Sequence, residues 1–221
     1  MASVRKTGAE SAARRNARAK KIIAVLDTLY TDADCTLEIS SPMQLLISTL
    51  LAAQCTDERV NIVAQPLYEK YRTARDFANA DAQELELEIR PTGFFRNKAR
   101  NIINCCRMIE SEFGGQVPNT MESLLRLPGV GRKTANLVLG DAFGVPGVVV
   151  DTHAGRLARR MGLTAETDPE KVEYDLMKSI PKENWTKFCH QLVLHGRAVC
   201  SARKAKCGEC MASPLCPRVG V

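Results

Sequence analysis

Four cysteines crowd one short stretch of the chain. Cys200, Cys207, Cys210 and Cys216 are separated by six, two and five residues. Four thiolates can hold either a tetrahedral zinc or a cubane iron–sulfur cluster. Zinc sites more often show two short pairs, so this compact and uneven loop fits a single 4Fe–4S unit better. Arg203, Lys204 and Lys206 lie inside the loop, where ligation would also pin basic side chains for phosphate contact. A second group of residues has the types needed for covalent chemistry. The string Leu127-Pro128-Gly129-Val130-Gly131 leads into Arg132 and Lys133. Its glycines let backbone approach a ligand closely, and amides at the start of the following helix can bind a phosphate. A plain helix–helix connection is the competing reading of the same string. Lys133 falls in that helix's first turn, where the positive end of the dipole and neighbouring Arg132 both disfavour an ammonium group. A neutral amine is what attack on a sugar carbon requires. The simpler role for such a lysine is a phosphate contact. Asp151 bears on the choice. The helix expected over 132–143 is about 18 Å long, and the residues 144–150 can stretch about 24 Å. The connector can therefore bring Asp151 back to the end of the helix where Lys133 sits. Its ordinary role would be to N-cap the helix that starts at Thr152.

These side chains need a scaffold, and nearly every periodic segment has a helical period. Helices are expected over 22–30, 42–54 with Ser41 as N-cap and Pro42 in the first turn, from Asp57 to an end or kink at Pro66, and over 97–113. In the last of these, Ile102, Cys105, Cys106 and Ile109 share one face. Asn119 and Glu122 have capping-box spacing ahead of Leu124, Leu125 and Leu127. Further helices are expected over 131–143, 152–161, 169–178 and 184–199. The one β-branched run, Val148 to Val150, is too short for a sheet and reads as a buried connector. The fold class is all-α.

The chain has 221 residues, 45% of them hydrophobic, and 31 Lys and Arg against 25 acids, for a formal charge of +6 and a pI near 8.9. That balance leans toward a polyanionic partner. No apolar run reaches membrane length and no secretory core opens the chain, so the expectation is a soluble, cytoplasmic protein that does not engage a membrane. The first twenty-one residues carry seven Lys or Arg and one acid, Glu10. Residues 1–20 read as a flexible basic arm, with a phosphate-touching arm or an organellar transit peptide as the lesser readings. Nine cysteines without an export signal are better read as thiols or ligands than as a disulfide framework. Cys35, Cys55, Cys105, Cys106 and Cys189 sit in apolar stretches and are expected in the core.

Taken together, the segments 50–57 (LLAAQCTD), 127–139 (LPGVGRKTANLVL), 148–156 (VVVDTHAGR) and 194–200 (LHGRAVC), with the cysteine spacing, resemble the endonuclease III family of DNA repair enzymes over roughly residues 22–217. The resemblance implies a helix-hairpin-helix that grips the DNA backbone, and two helical domains flanking a DNA-binding cleft. One would be a six-helix barrel over 38–148; the other, a cluster domain, would be built from 1–37 and 149–221. It implies a bifunctional DNA glycosylase and AP lyase acting in base excision repair, as a monomer, on duplex DNA with oxidised or ring-saturated pyrimidines or abasic sites. Lys133 would be the nucleophile, displacing a flipped-out base and forming a Schiff base that undergoes β-elimination; Asp151 would be its carboxylate. Cys200, Cys207, Cys210 and Cys216 would bind one 4Fe–4S cluster. DNA contacts would come from Leu127, Gly129, Val130, Gly131, Arg132, Arg203, Lys204 and Lys206. Gln54 would fill the space left by the extruded base, Phe94 would wedge near the opposite base, and His153 would lie near the lesion. The plainer readings are a buried capping amide for Gln54, ordinary core for Phe94 and an exposed first-turn histidine for His153, while His190 and His195 are expected to serve helix packing. Two positions depart from the family pattern: Ala52 stands where a serine is frequent, and Phe94 where an aliphatic residue is frequent. Lys133 and the short C-terminal segment separate the chain from the related adenine mismatch glycosylases, and the Lys133 and Asp151 pair from a binding-only iron–sulfur protein.

Overall fold

Capping chemistry sets most of the element boundaries. Ser41, Thr56, Thr73, Asp81, Thr120, Asp151 and Asp168 all sit in extended backbone, and each side chain accepts from the amide three residues on. Each such cap stabilises its helix by about 1 kcal/mol. The structure is a computed structural model and describes residues 10–221. The helices are α1 Ala12–Leu29, α2 Pro42–Leu51, α3 Asp57–Lys70, α4 Ala74–Ala78, α5 Ala82–Glu88, α6 Phe95–Phe113, α7 Met121–Arg126, α8 Arg132–Phe143, α9 Thr152–Arg160, α10 Pro169–Ser179 and α11 Trp185–Ala198. No strand occurs among the described residues; an isolated bridge joins Cys200 and Ala205. The all-α expectation holds, and none of these helices is long and apolar enough to cross a membrane.

The chain divides into two units, Cys35–Gly147 and the two flanks, through Asp34 and from Val148. In the central unit α2 is apolar nearly all round and buries Leu45, Leu46, Ile47, Leu50 and Leu51 against α3, α6 and α8, the pattern of a helix enclosed by others. α6 presents Ile102, Cys105, Cys106 and Ile109 to the same core, all fully buried. Burial drives the Cys105 thiol up to about 12, so it behaves as a small apolar group. In the flanking unit α1 packs against α10 and α11, and α9 against both of those. Ile22, Leu26, Leu157, Val172, Leu176, Phe188 and Leu192 form its interior.

Four expectations are corrected. α1 begins at Ala12, ten residues ahead of its apolar period, because Ser11 caps it and Arg18 donates to the carbonyls of Gly162 (3.1 Å) and Leu215 (3.3 Å). The basic segment is thus helical from Ala12, and its residues 1–9 lie outside the described residues. α2 stops at Leu51 rather than 54, since Gln54 takes a left-handed backbone with φ 55°, which an L-residue helix cannot continue through. α3 does not end at Pro66 but runs four residues past it. Pro66 faces solvent, where water can satisfy the carbonyl that loses its partner. The cap of α7 is Thr120, not Asn119.

Candidate nucleic-acid interface and cysteine site

α7 and α8 form a helical hairpin through the turn 127–131. Leu127 and Val130 are buried and anchor it, and the Val130 amide donates to the Leu127 carbonyl at 3.1 Å. Gly129 holds φ at +82°, and a Cβ there would stand 3.0 Å from the Asn101 side chain. Glycine is required on both counts. Gly131 takes the N-cap position of α8 and offers no side-chain acceptor. The first turn of α8 is therefore capped by no side chain, and its end carries the positive pole of the helix dipole, an arrangement suited to a phosphate oxygen. Gly129, Gly131 and Lys133 are exposed there, and Arg132 is half-buried.

On the same unit, Gln54, Phe94 and Gly129 line one open pocket of about 250 Å³, together with Asn97, Lys98, Asn101 and Thr134. Gln54 and Phe94 are exposed, Phe94 at 64%. Neither is the buried group that its plainer reading called for. Both hold positive φ, 55° and 47°, a strain of about 1–3 kcal/mol apiece that surrounding structure must offset. Arg96 and Glu86, by contrast, pair on the surface. Asn97 and Asn101, one turn apart on α6, complete a polar wall.

Asp151 and His153 belong to the flanking unit. Asp151 N-caps α9, its Oδ1 accepting from the Ala154 amide at 2.6 Å. His153 is half-buried rather than exposed, with Nδ1 3.2 Å from Arg156 Nη2. It presses on Gly196, where a Cβ would come within 2.8 Å of its ring. Burial first, then Arg156 and Arg197, lower the pKa of His153, while Asp151 opposes them.

The four C-terminal cysteines line a single small cavity of about 20 Å³ with Arg160, His195, Ala212 and Ser213. Among the described residues, no three of their sulfurs lie within 4.8 Å of one another. A tetrahedral zinc with bonds of about 2.3 Å needs its sulfurs roughly 3.8 Å apart. Four thiols around one cavity are a donor set that either a zinc or a cubane iron–sulfur core takes. Neighbouring groups are already oriented. Arg160 Nη1 donates to Cys200 Sγ at 3.4 Å and to the Ser201 carbonyl at 2.8 Å, and Arg156 Nη2 donates to the Cys200 carbonyl at 3.1 Å. Tyr30 Oη stands 3.1 Å from His195 Nδ1, and His195 Nε2 stands 3.3 Å from Cys210 Sγ. With the phenol donating to Nδ1, the Nε2 proton points at the sulfur, the kind of outer hydrogen bond that orients metal ligands. His195 thus does more than helix packing. Burial raises the Cys210 and Cys216 thiols, so they favour the neutral form until a cation compensates. Arg203, Lys204 and Lys206 are exposed on the loop. Sequence reasoning did not single out Tyr30, Lys98, Asn101, Arg156 or Arg160. The one available signal was Arg156, which closes the 148–156 segment.

Comparison with known proteins agrees with this geometry. The family model described as HhH-GPD superfamily base excision DNA repair protein matches residues 47–182. An endonuclease III of Synechocystis sp. is 54% identical over 93% of this chain and 94% of its own length. Its Bacillus subtilis counterpart is 42% identical over 85% and 86%. Among solved structures, a trapped endonuclease III–DNA covalent intermediate, 42% identical, superposes with a TM-score of 0.87 over 92% of this chain and 96% of that one. A thermostable thymine-DNA glycosylase, 24% identical, shares the fold with a TM-score of 0.81 over 94% and 98%.

Proposed function

Because the chain belongs to the endonuclease III family, within the HhH-GPD superfamily of base excision DNA repair proteins, we propose that it excises oxidised or ring-saturated pyrimidines from duplex DNA through a Schiff base on Lys133. Membership carries the class of activity: it is a DNA glycosylase and AP lyase whose partner is DNA. The finer reading rests above all on Lys133, an exposed amine in the first turn of a helix that no side chain caps, directly after the hairpin. Phosphates held at the hairpin would place the sugar within reach of that amine, while contacts to the backbone carry most of the affinity.

In the proposed reaction the neutral Lys133 amine attacks C1′ of a flipped-out nucleotide, and the glycosidic bond breaks as the base departs with a proton. The sugar ring then opens as the C1′–O4′ bond breaks and O4′ takes the remaining N–H proton, and the imine so formed acidifies C2′; loss of the C2′ proton breaks the C3′–O bond and nicks the strand. Asp151 supplies negative charge that favours the sugar cation and activates the amine. Gln54 and Phe94 enter the duplex as the base leaves, Gln54 in the vacated space and Phe94 beside the opposite base. Leu127, Val130 and Arg132 shape the hairpin, and His153 contributes to lesion recognition. The four cysteines would hold one 4Fe–4S cluster, which supplies a structural tie for the loop bearing Arg203, Lys204 and Lys206. The protein is proposed to act as a monomer in the cytoplasm.

Borohydride trapping tests this reading. On duplexes carrying an oxidised pyrimidine or an abasic site, the wild-type chain should form a covalent adduct. Lys133→Gln should form none and leave the strand intact, yet bind damaged DNA within about threefold of wild type, since phosphate contacts dominate affinity. Loss of binding in parallel would make Lys133 a binding residue instead, and no adduct from the folded wild type would point to a binding-only relative.

A further inference from the structure

Lys98 has no place in the chemistry just described, yet it is one of the few charged side chains buried in the protein, only 5% exposed. Its Nζ donates to the Leu51 carbonyl at 2.7 Å and to the Thr92 carbonyl at 2.8 Å. Burial pulls its pKa below the ordinary lysine value, a cost that the two carbonyls offset. The choice of carbonyls is informative. Leu51 is the last residue of α2, so its oxygen is one of those a helix leaves without an internal partner, at the negative end of the dipole. Thr92 closes the short 3-10 turn Arg90–Thr92. Three residues beyond Leu51 comes Gln54, and two beyond Thr92 comes Phe94, the only non-glycine residues of the central unit with positive φ. Both line the same pocket as Lys98 itself.

Two strained segments from distant parts of the chain are therefore fastened to one ammonium group. Strain of this kind persists only where neighbouring structure over-determines it. A neutral side chain of equal length would fill the volume but leave both carbonyls unpaired.

We propose that Lys98 is a positioning residue that holds the Gln54 and Phe94 segments in fixed relation to each other, so that both can enter the duplex together when a base is extruded. The proposal rests on the excision reading above and specifies how that site opens the helix. It predicts an effect confined to substrates whose base must still be pulled from the stack. A pre-formed abasic site has no base to unstack, so it makes the smaller demand on extrusion.

The test compares wild type, Lys98→Met and Lys98→Arg under single-turnover conditions on two duplexes, one with an oxidised pyrimidine and one with an abasic site. Fluorescence of 2-aminopurine placed next to the lesion reports unstacking. Lys98→Met should slow base excision by about tenfold or more and lower the fluorescence change, while abasic-site cleavage stays within about threefold. Equal slowing on both substrates would mean that Lys98 merely supports the fold, and no slowing on either would remove it from recognition; each result overturns the proposal. If Lys98→Met fails to fold, Lys98→Arg decides alone. It keeps charge and donors but displaces the two carbonyls, and must slow excision selectively for the proposal to stand. A wild-type protein inactive on both duplexes would instead refute the excision reading, so the two failures are distinguishable.

Discussion

Asp151 performs two separable tasks with one carboxylate. Its Oδ1 caps α9 through the Ala154 amide, and its charge is what the proposed reaction uses. Asparagine ranks beside aspartate as an N-cap. Asp151→Asn should therefore change unfolding free energy by less than about 0.5 kcal/mol while slowing base excision by about a hundredfold or more. Thermal melts and single-turnover kinetics on the same preparation check this, and unimpaired excision would remove Asp151 from the mechanism. Lys98 is the converse case, a charged residue whose value lies in what it fastens. Arg160 and His195 are similar: each meets a cysteine sulfur and a second group, so each connects a ligand position to the helix behind it.

At the scale of elements, α3 carries a local conflict that the fold tolerates. Pro66 lies inside it, on the solvent side, and removes one helical hydrogen bond. Pro66→Ala should restore that bond and raise stability by about 1–2 kcal/mol, less than the full proline penalty because the unfolded chain regains freedom. Chemical denaturation reads the shift directly; a lower midpoint would mean that Pro66 makes a packing contact worth more than the bond. The long helices were legible because their apolar period matched the face they bury, as in α6, and because Ser41 announces the start of α2. α4 and α5 were not, being 5 and 7 residues long, too short to display a period. The hairpin, Lys133 and the cysteine loop could be found from local spacing. Lys98, Tyr30 and Arg160 could not, since their partners lie 47, 165 and 40 residues away and nothing local marks them. The left-handed turns at Gln54 and Phe94 escaped for a related reason: neither residue type favours that conformation, and tertiary ties impose it.

The whole molecule is two units of different construction. The central one, α2 to α8, is a continuous stretch with an extensive apolar core. The other joins α1 to α9, α10, α11 and the cysteine loop. If the cysteines tie that loop as proposed, Cys207→Ser should damage the flanking unit selectively. Amide hydrogen exchange would then speed up in α9, α11 and residues 200–216 by about tenfold or more, with α2 and α6 protected as in wild type. Uniform loss of protection would show one cooperative structure instead. The division also has a meaning during synthesis. The central unit is contiguous and can fold as soon as it leaves the ribosome, whereas α1 emerges first and must wait for α10 and α11. At about 5–20 residues per second, the apolar face of Ile22, Ile23 and Leu26 stays unmatched for on the order of ten seconds. A helix made before the central unit is thus placed only after it, and iron, if loaded, can enter only once Cys216 has been made.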